Sequence, residues 1–194
     1  MIPLLDHLAA IWLTHATTIG RGHHVHLPGR IPLAQITDLD LPAETDHPVT
    51  LVGDTGIQRP TRDTAAAEYA RRPRTRVHEN AGARTGWAAL TAAHLARLSR
   101  RHVQCSLYES RTGDQTLGRH DDDWDSLIVH LHGEKHWTLW THPDTEPAQV
   151  VTRPGDVLAL PRGVPHDVAT PGRSVHAVFA LTTQPLPGRT LRAA

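Results

Sequence analysis

With one cysteine, Cys105, the chain cannot close a disulfide within itself, and a reducing compartment is the natural expectation. It lacks a charge surplus as well. Twenty Lys and Arg balance twenty Asp and Glu, so no strong field argues for nucleic acid or an anionic membrane as partner. No apolar run reaches the roughly 20 residues of a membrane span. Asp6 and His7 stand where a signal peptide would be apolar, and no basic segment precedes them, so a cytoplasmic location is expected. Aromatic residues are scarce, with five Trp, two Tyr and one Phe, but 194 residues still suffice for the core of one domain.

Histidine is plentiful at sixteen. Pro3 to His15 carries Leu4, Leu5, Leu8, Ile11 and Trp12 at spacings of one, three and four, which predicts an amphipathic helix. Gly20 to Pro32 reads as a loop with a short strand at Val25 to Leu27, and its His23, His24 and His26 as solvated. Pro48 to Val52 reads as a strand. Gly53 to Arg84 reads as irregular and Arg-rich, either a lid over an acidic or peptide substrate or a solvated loop. Thr85 is a candidate N-cap for a helix to about Arg101, with Trp87, Leu90, His94, Leu95 and Leu98 on its packed face. Arg97, Arg100 and Arg101 suit the negative end of its macrodipole.

From His102 the pattern becomes short strands divided by turns. The strands are His102–Glu109, Thr116–Asp122, Ser126–His132, His136–Thr141, Gln149–Thr152, Val157–Pro161, His166–Ala169 and Ser174–Thr182. About eight such strands predict a mainly β sandwich or barrel, of which the cupin jelly roll is one form. Residues 102–184 would be the barrel, 1–101 a helical and irregular part of the same domain, and 185–194 a frayed tail.

The chemistry concentrates in LGRHDDDWDSLIVHLHGEKHWTLW (Leu117 to Trp140) and LPRGVPHDV (Leu160 to Val168). On a strand, residues i and i+2 face one side, so His120 and Asp122 point together while Asp121 and Asp123 point away. His166, stiffened by Val164-Pro165, would close a third corner. Two imidazoles and one carboxylate on one side of a metal, the other side open, mark non-haem Fe(II) oxygenases. A calcium loop built on Asp121, Asp122, Asp123 and Asp125 lacks the carboxylate ladder and closing Glu of an EF-hand. His130 and His132 share a strand face and read as interior histidines satisfied by hydrogen bonds, the alternative being competition for the metal or a hydrogen bond to substrate. Trp124, Trp137 and Trp140 read as core, or as a substrate wall.

GRHDDDWDSLIVHLHGEKHWTLW followed by PGDVLALPRGVPHDV resembles the JmjC-type cupin oxygenases, in particular the ribosomal-protein oxygenases and the asparaginyl hydroxylase of hypoxia-inducible factor. The resemblance implies a double-stranded β-helix with N-terminal helices packed on the barrel, and a dioxygenase that uses Fe(II), 2-oxoglutarate and O2 to hydroxylate a side chain. It implies that His120, Asp122 and His166 hold the iron and that Lys135 takes the distal carboxylate of 2-oxoglutarate. A buried dicarboxylate needs a cation, and a Lys ammonium can supply one. Ser106 and Tyr108 match cosubstrate-pocket positions of the family, and Ser126 and Ile128 alternate on the inward strand face beside them. Val178 stands where those enzymes carry a hydroxyl, and His176, at a family His, reads as packed core.

The implied substrate is a peptide or protein side chain. A free amino acid or small metabolite is the alternative, because the chain has no room for the domains that ribosomal oxygenases append. A non-catalytic metal-binding cupin is a further reading; other cupin chemistries use three His and one Glu, and no Glu stands at the matching positions. A homo-oligomer is compatible with the sequence.

Overall fold

A computed structural model describes residues 3–37, 39, 49–142 and 144–185. Its helices are α1 (Pro3–Gly20), α2 (Leu33–Thr37), α3 (Arg62–Arg71) and α4 (Gly86–Ser99). The strands before α4 are β1 (Val25–Leu27), β2 (Thr50–Gly53), β3 (Gly56–Gln58) and β4 (Thr75–His78). Those after it are β5 (His102–Ser110), β6 (Asp125–His132), β7 (Lys135–Leu139), β8 (Ala148–Thr152), β9 (Val157–Leu160), β10 (His166–Ala169) and β11 (Ser174–Thr182). They form an eight-stranded sheet in the order β1-β9-β6-β11-β5-β4-β2-β3 and a three-stranded sheet in the order β10-β7-β8, antiparallel throughout. The mainly β jelly roll with helices packed upon it is therefore present.

Strand alternation makes two cores. Leu127 and Val129 on β6, Ala177 and Phe179 on β11, and Cys105 and Leu107 on β5 face one way, against Leu8, Ile11, Trp87 and Leu95 of α1 and α4. The opposite face sends Ile128, Leu158, Leu160 and Val178 against Trp137, Leu139 and Val150 of the small sheet. Central strands are buried on both sides, which is why β9 reads as a continuous hydrophobic run and β11 as one interrupted by His176. Among the described residues no helix is long and apolar enough to cross a membrane.

Several expectations change. Residues 53–84 are ordered: they hold β3, α3 and β4, and β2 to β4 extend the main sheet. Two of their arginines are held inside the fold, while others such as Arg71 stay exposed. Arg74 is 3% exposed and donates to Gln58 Oε1 at 2.7 Å, and Arg76 pairs with Glu109 at 3.1 Å. Long polar side chains with buried stems and paired heads look like surface in a sequence. Residues 1–101 thus supply four strands, not only helices and loops, while the tail from 186 lies outside the described residues. So does Pro48; the strand expected from it starts at Thr50.

The α4 boundary is close to the expected one, but Leu90 is exposed, and Thr91 and Ala92 are buried instead. Thr85 Oγ1 donates back to Ala81 O and caps nothing in α4. Arg101 lies beyond the C-cap of α4, Arg100, and pairs with buried Asp125, so it clamps β6.

Candidate metal centre and anion pocket

Thr116–Asp122 is not a strand. Gly118 has φ +69, and only His120 bridges, exchanging backbone hydrogen bonds with His166 (N to O, 2.9 and 2.7 Å). That bridge brings the two histidines together, their ring centroids 4.3 Å apart, and His120 and Asp122 do not share the strand face expected of them. Asp122 is placed by its own backbone, whose carbonyl accepts from Gly163 N at 2.8 Å. His120, Asp122 and His166 line one cavity between the sheets.

Hydrogen bonding fixes both tautomers. His120 Nδ1 donates to Gly118 O at 2.8 Å and His166 Nδ1 to Val164 O at 3.0 Å. A carbonyl can only accept, so each Nδ1 carries a proton, and in the neutral ring the lone pair falls to Nε2. Backbone carbonyls that orient a ring in this way are a recurrent support of metal-binding histidines. Burial, then the neighbouring His120, pushes the His166 pKa down against the pull of Asp122, which keeps the ring neutral. Asp122 Oδ1 is buried without a hydrogen-bond partner. An orphaned carboxylate oxygen in the same cavity as two imidazoles is of the donor types that suit a divalent cation of intermediate hardness. Among the described residues no three His, Cys, Asp or Glu side chains stand already gathered as a metal cage. The three donors line the same cavity.

Lys135 opens β7 and lies in the same cavity, 2% exposed. Its Nζ donates to Ser110 Oγ and Thr170 Oγ1, both at 2.9 Å. Burial pushes its pKa from 10.5 down to about 7, with Asp114 pulling the other way. Among the described residues no carboxylate pairs with it.

Tyr108, Ser126 and Ile128 line the cavity as expected, and Val178 joins them. Ser106 does not: it is buried on the same β5 face, but off the cavity wall. Tyr108 stacks on His176, centroids 5.0 Å apart, so His176 is a wall residue and more than packing. His130 is a satisfied interior histidine. Its Nε2 donates to His132 O at 2.9 Å, its Nδ1 accepts from Thr152 Oγ1 at 3.0 Å, and Trp137 Nε1 donates to that hydroxyl at 2.9 Å. Burial lowers its pKa to about 4. His132 is exposed. Trp137 is cavity wall, Trp124 is buried, and Trp140 lies under the Arg119 guanidinium at 4.3 Å.

Val52, Thr75, Thr116 and Leu117 also line the cavity and were not anticipated, nor were Ser110 and Thr170 behind it. Ser110 continues the alternation Ser106, Tyr108, Ser110 and was findable. Thr75 was hidden by reading its segment as irregular.

Known proteins bear on this geometry. Ribosomal oxygenase 2 of Rattus norvegicus is 30% identical over 91 residues, 39% of this chain and 20% of that protein. The bifunctional lysine-specific demethylase and histidyl-hydroxylase NO66 of Dictyostelium discoideum is 32% identical over 100 residues, 40% of this chain and 19% of its own. The matched segment thus spans about a fifth of these curated relatives. The ribosomal oxygenase YcfD of Escherichia coli, solved with cobalt and 2-oxoglutarate, superposes with a TM-score of 0.55 at 17% identity, over 84% of this chain and 48% of that one. At that identity the likeness is one of fold. The profile of the JmjC domain matches residues 85–186, more than half of the sequence and the whole of β5 to β11, and the chain therefore belongs to the JmjC domain family.

Proposed function

We propose that the protein is an Fe(II)- and 2-oxoglutarate-dependent dioxygenase that hydroxylates an amino-acid side chain in a peptide or protein. The observation that carries the reading is one cavity holding two unlike requirements. Two histidines held by backbone carbonyls and an unpartnered carboxylate oxygen line it, and so does a buried lysine that has no counter-carboxylate among the described residues. The first set suits a metal, the second the far end of a dicarboxylate.

His120 Nε2, His166 Nε2 and an oxygen of Asp122 would hold Fe(II), leaving the opposite side of the ion open. The bound metal and cosubstrate supply the hard chemistry: O2 and 2-oxoglutarate are consumed, succinate and CO2 leave, and one oxygen atom enters a C–H bond of the substrate. The carbonyls of Gly118 and Val164 hold the imidazoles in the ligating tautomer. Lys135 fixes the remote carboxylate, and Tyr108, Ile128, Trp137 and Val178 make the wall between the two ends apolar, which strengthens that charge contact. YcfD was solved with cobalt and 2-oxoglutarate, and the named relatives are oxygenases or hydroxylases, which supports both the cosubstrate and a protein substrate.

The test is succinate release from 2-oxoglutarate with Fe(II) and O2, together with a gain of one oxygen on candidate basic ribosomal peptides. Succinate formation that disappears in His120→Ala and Asp122→Ala is expected. Equal formation in wild type and variants would refute the assignment.

A further inference from the structure

Lys135 has an unusual set of partners for a buried lysine. Both are hydroxyls, Ser110 Oγ and Thr170 Oγ1, and Ser110 Oγ lies 2.9 Å from Thr75 Oγ1, itself 3.3 Å from Gln115 O. A carboxylate partner would lock the lysine as a cation. Hydroxyls do not, because each can donate or accept. With Lys135 charged, Nζ donates to Ser110, Ser110 to Thr75, and Thr75 to the Gln115 carbonyl. With Lys135 neutral the chain can reverse: Thr75 donates to Ser110, and Ser110 donates to the amine lone pair. Either state leaves the short chain satisfied, and the ammonium has one donor more than its two hydroxyl partners use.

We propose that Lys135 is a proton-switched receptor for the ligand's remote carboxylate: it engages that carboxylate only as the ammonium, taking the proton from solvent as the ligand enters, while Ser110, Thr75 and Thr170 are the positioning residues that support both states. This deepens the function proposed above and rests on it. The balance is simple: the neutral amine, one solvent proton and a dicarboxylate give an ammonium–carboxylate pair, and nothing is oxidised or reduced. The charged and titratable surroundings are consistent with it. Asp114, from the loop after β5, is committed to Tyr69 Oη at 2.8 Å and to Arg111 N at 2.8 Å. His130 on β6 is neutral, and Tyr108, His176 and the three metal-binding candidates share the cavity. The desolvated lysine, at about 7, sits where a ligand charge decides its state.

The experiment is calorimetric titration of 2-oxoglutarate into the cobalt(II)-loaded protein at about pH 6 and about pH 8.5, in buffers of different ionisation enthalpy. At the higher pH about one proton is taken up per ligand and at the lower about none; above neutrality the affinity falls by about tenfold per pH unit. Lys135→Arg, always charged, binds without uptake and without that fall. Ser110→Ala removes a partner of the ammonium, so the fall begins at lower pH. Intact binding with no proton uptake at either pH, or an unmoved profile in Ser110→Ala, overturns this inference and leaves the dioxygenase reading standing. No binding at either pH overturns that reading, and this one with it.

Discussion

Single side chains carry the chemistry, and each can be perturbed separately. Lys135 is a site of conflict between stability and function. Its pKa of about 7 in the folded protein lies below its ordinary 10.5, so between those values the unfolded chain binds more protons and stability rises with pH. Below about pH 7 both states carry the charge and the burial penalty is fully present; above about 10.5 neither does, and the penalty is gone. Lys135→Met is accordingly expected to raise stability at pH 6 by about 2–4 kcal/mol, a gain that fades toward pH 10, while abolishing 2-oxoglutarate binding. Thermal melts of both proteins across that range check it; a variant less stable than wild type at pH 6 would contradict it. His130 behaves oppositely. His130→Ala leaves Thr152 Oγ1 and Trp137 Nε1 with a broken network and should cost about 2–3 kcal/mol. His130→Gln should cost less, and cobalt affinity should hold in both. These roles were partly legible in the sequence, since the motif pointed to His120, Asp122, His166 and Lys135. The hydroxyl chain was not, because Ser110, Thr75 and Thr170 lie 25 to 60 residues from Lys135 and meet it only in the folded sheet.

At the scale of elements, turns set where the cavity residues fall. Gly133 joins β6 to β7 at φ +70, and a Cβ there would lie 1.9 Å from Arg173 O, which backbone cannot yield cheaply. Gly133→Ala should cost more than about 2 kcal/mol, and because Lys135 follows two residues later it should also weaken 2-oxoglutarate binding. Denaturant melts and calorimetry measure both; a loss of stability with unchanged binding would separate the turn from the pocket. The strands from β5 onward were readable because alternation and turn residues agree there. Residues 53–84 were not, because Arg74, just before β4, and Arg76, on it, are buried against partners that lie in other strands, Gln58 on β3 and Glu109 on β5. The segment before Asp122 misled in the other direction: its two-residue spacing matched a strand, but Gly118 and three consecutive aspartates leave only the bridge at His120.

The molecule as a whole places its cavity between an eight-stranded and a three-stranded sheet, with the metal-binding candidates held by the β10 side and the lysine at the start of β7. Neither sheet suffices. Thr75 and Val52 come from the N-terminal extension, outside the span of the JmjC profile, so that extension belongs to the site. Fold class followed from periodicity, but the joining of the N-terminal strands to the barrel did not, since pairings such as β4 with β5 are set by long-range register. The most direct test is equilibrium cobalt(II) binding, followed by the visible spectrum, for wild type and for His120→Ala, Asp122→Ala and His166→Ala. The expected result is one ion per wild-type chain and at least a hundredfold weaker binding (about 3 kcal/mol) in each variant, with folding intact. Equal cobalt affinity in wild type and all three variants would contradict the metal centre on which everything else depends.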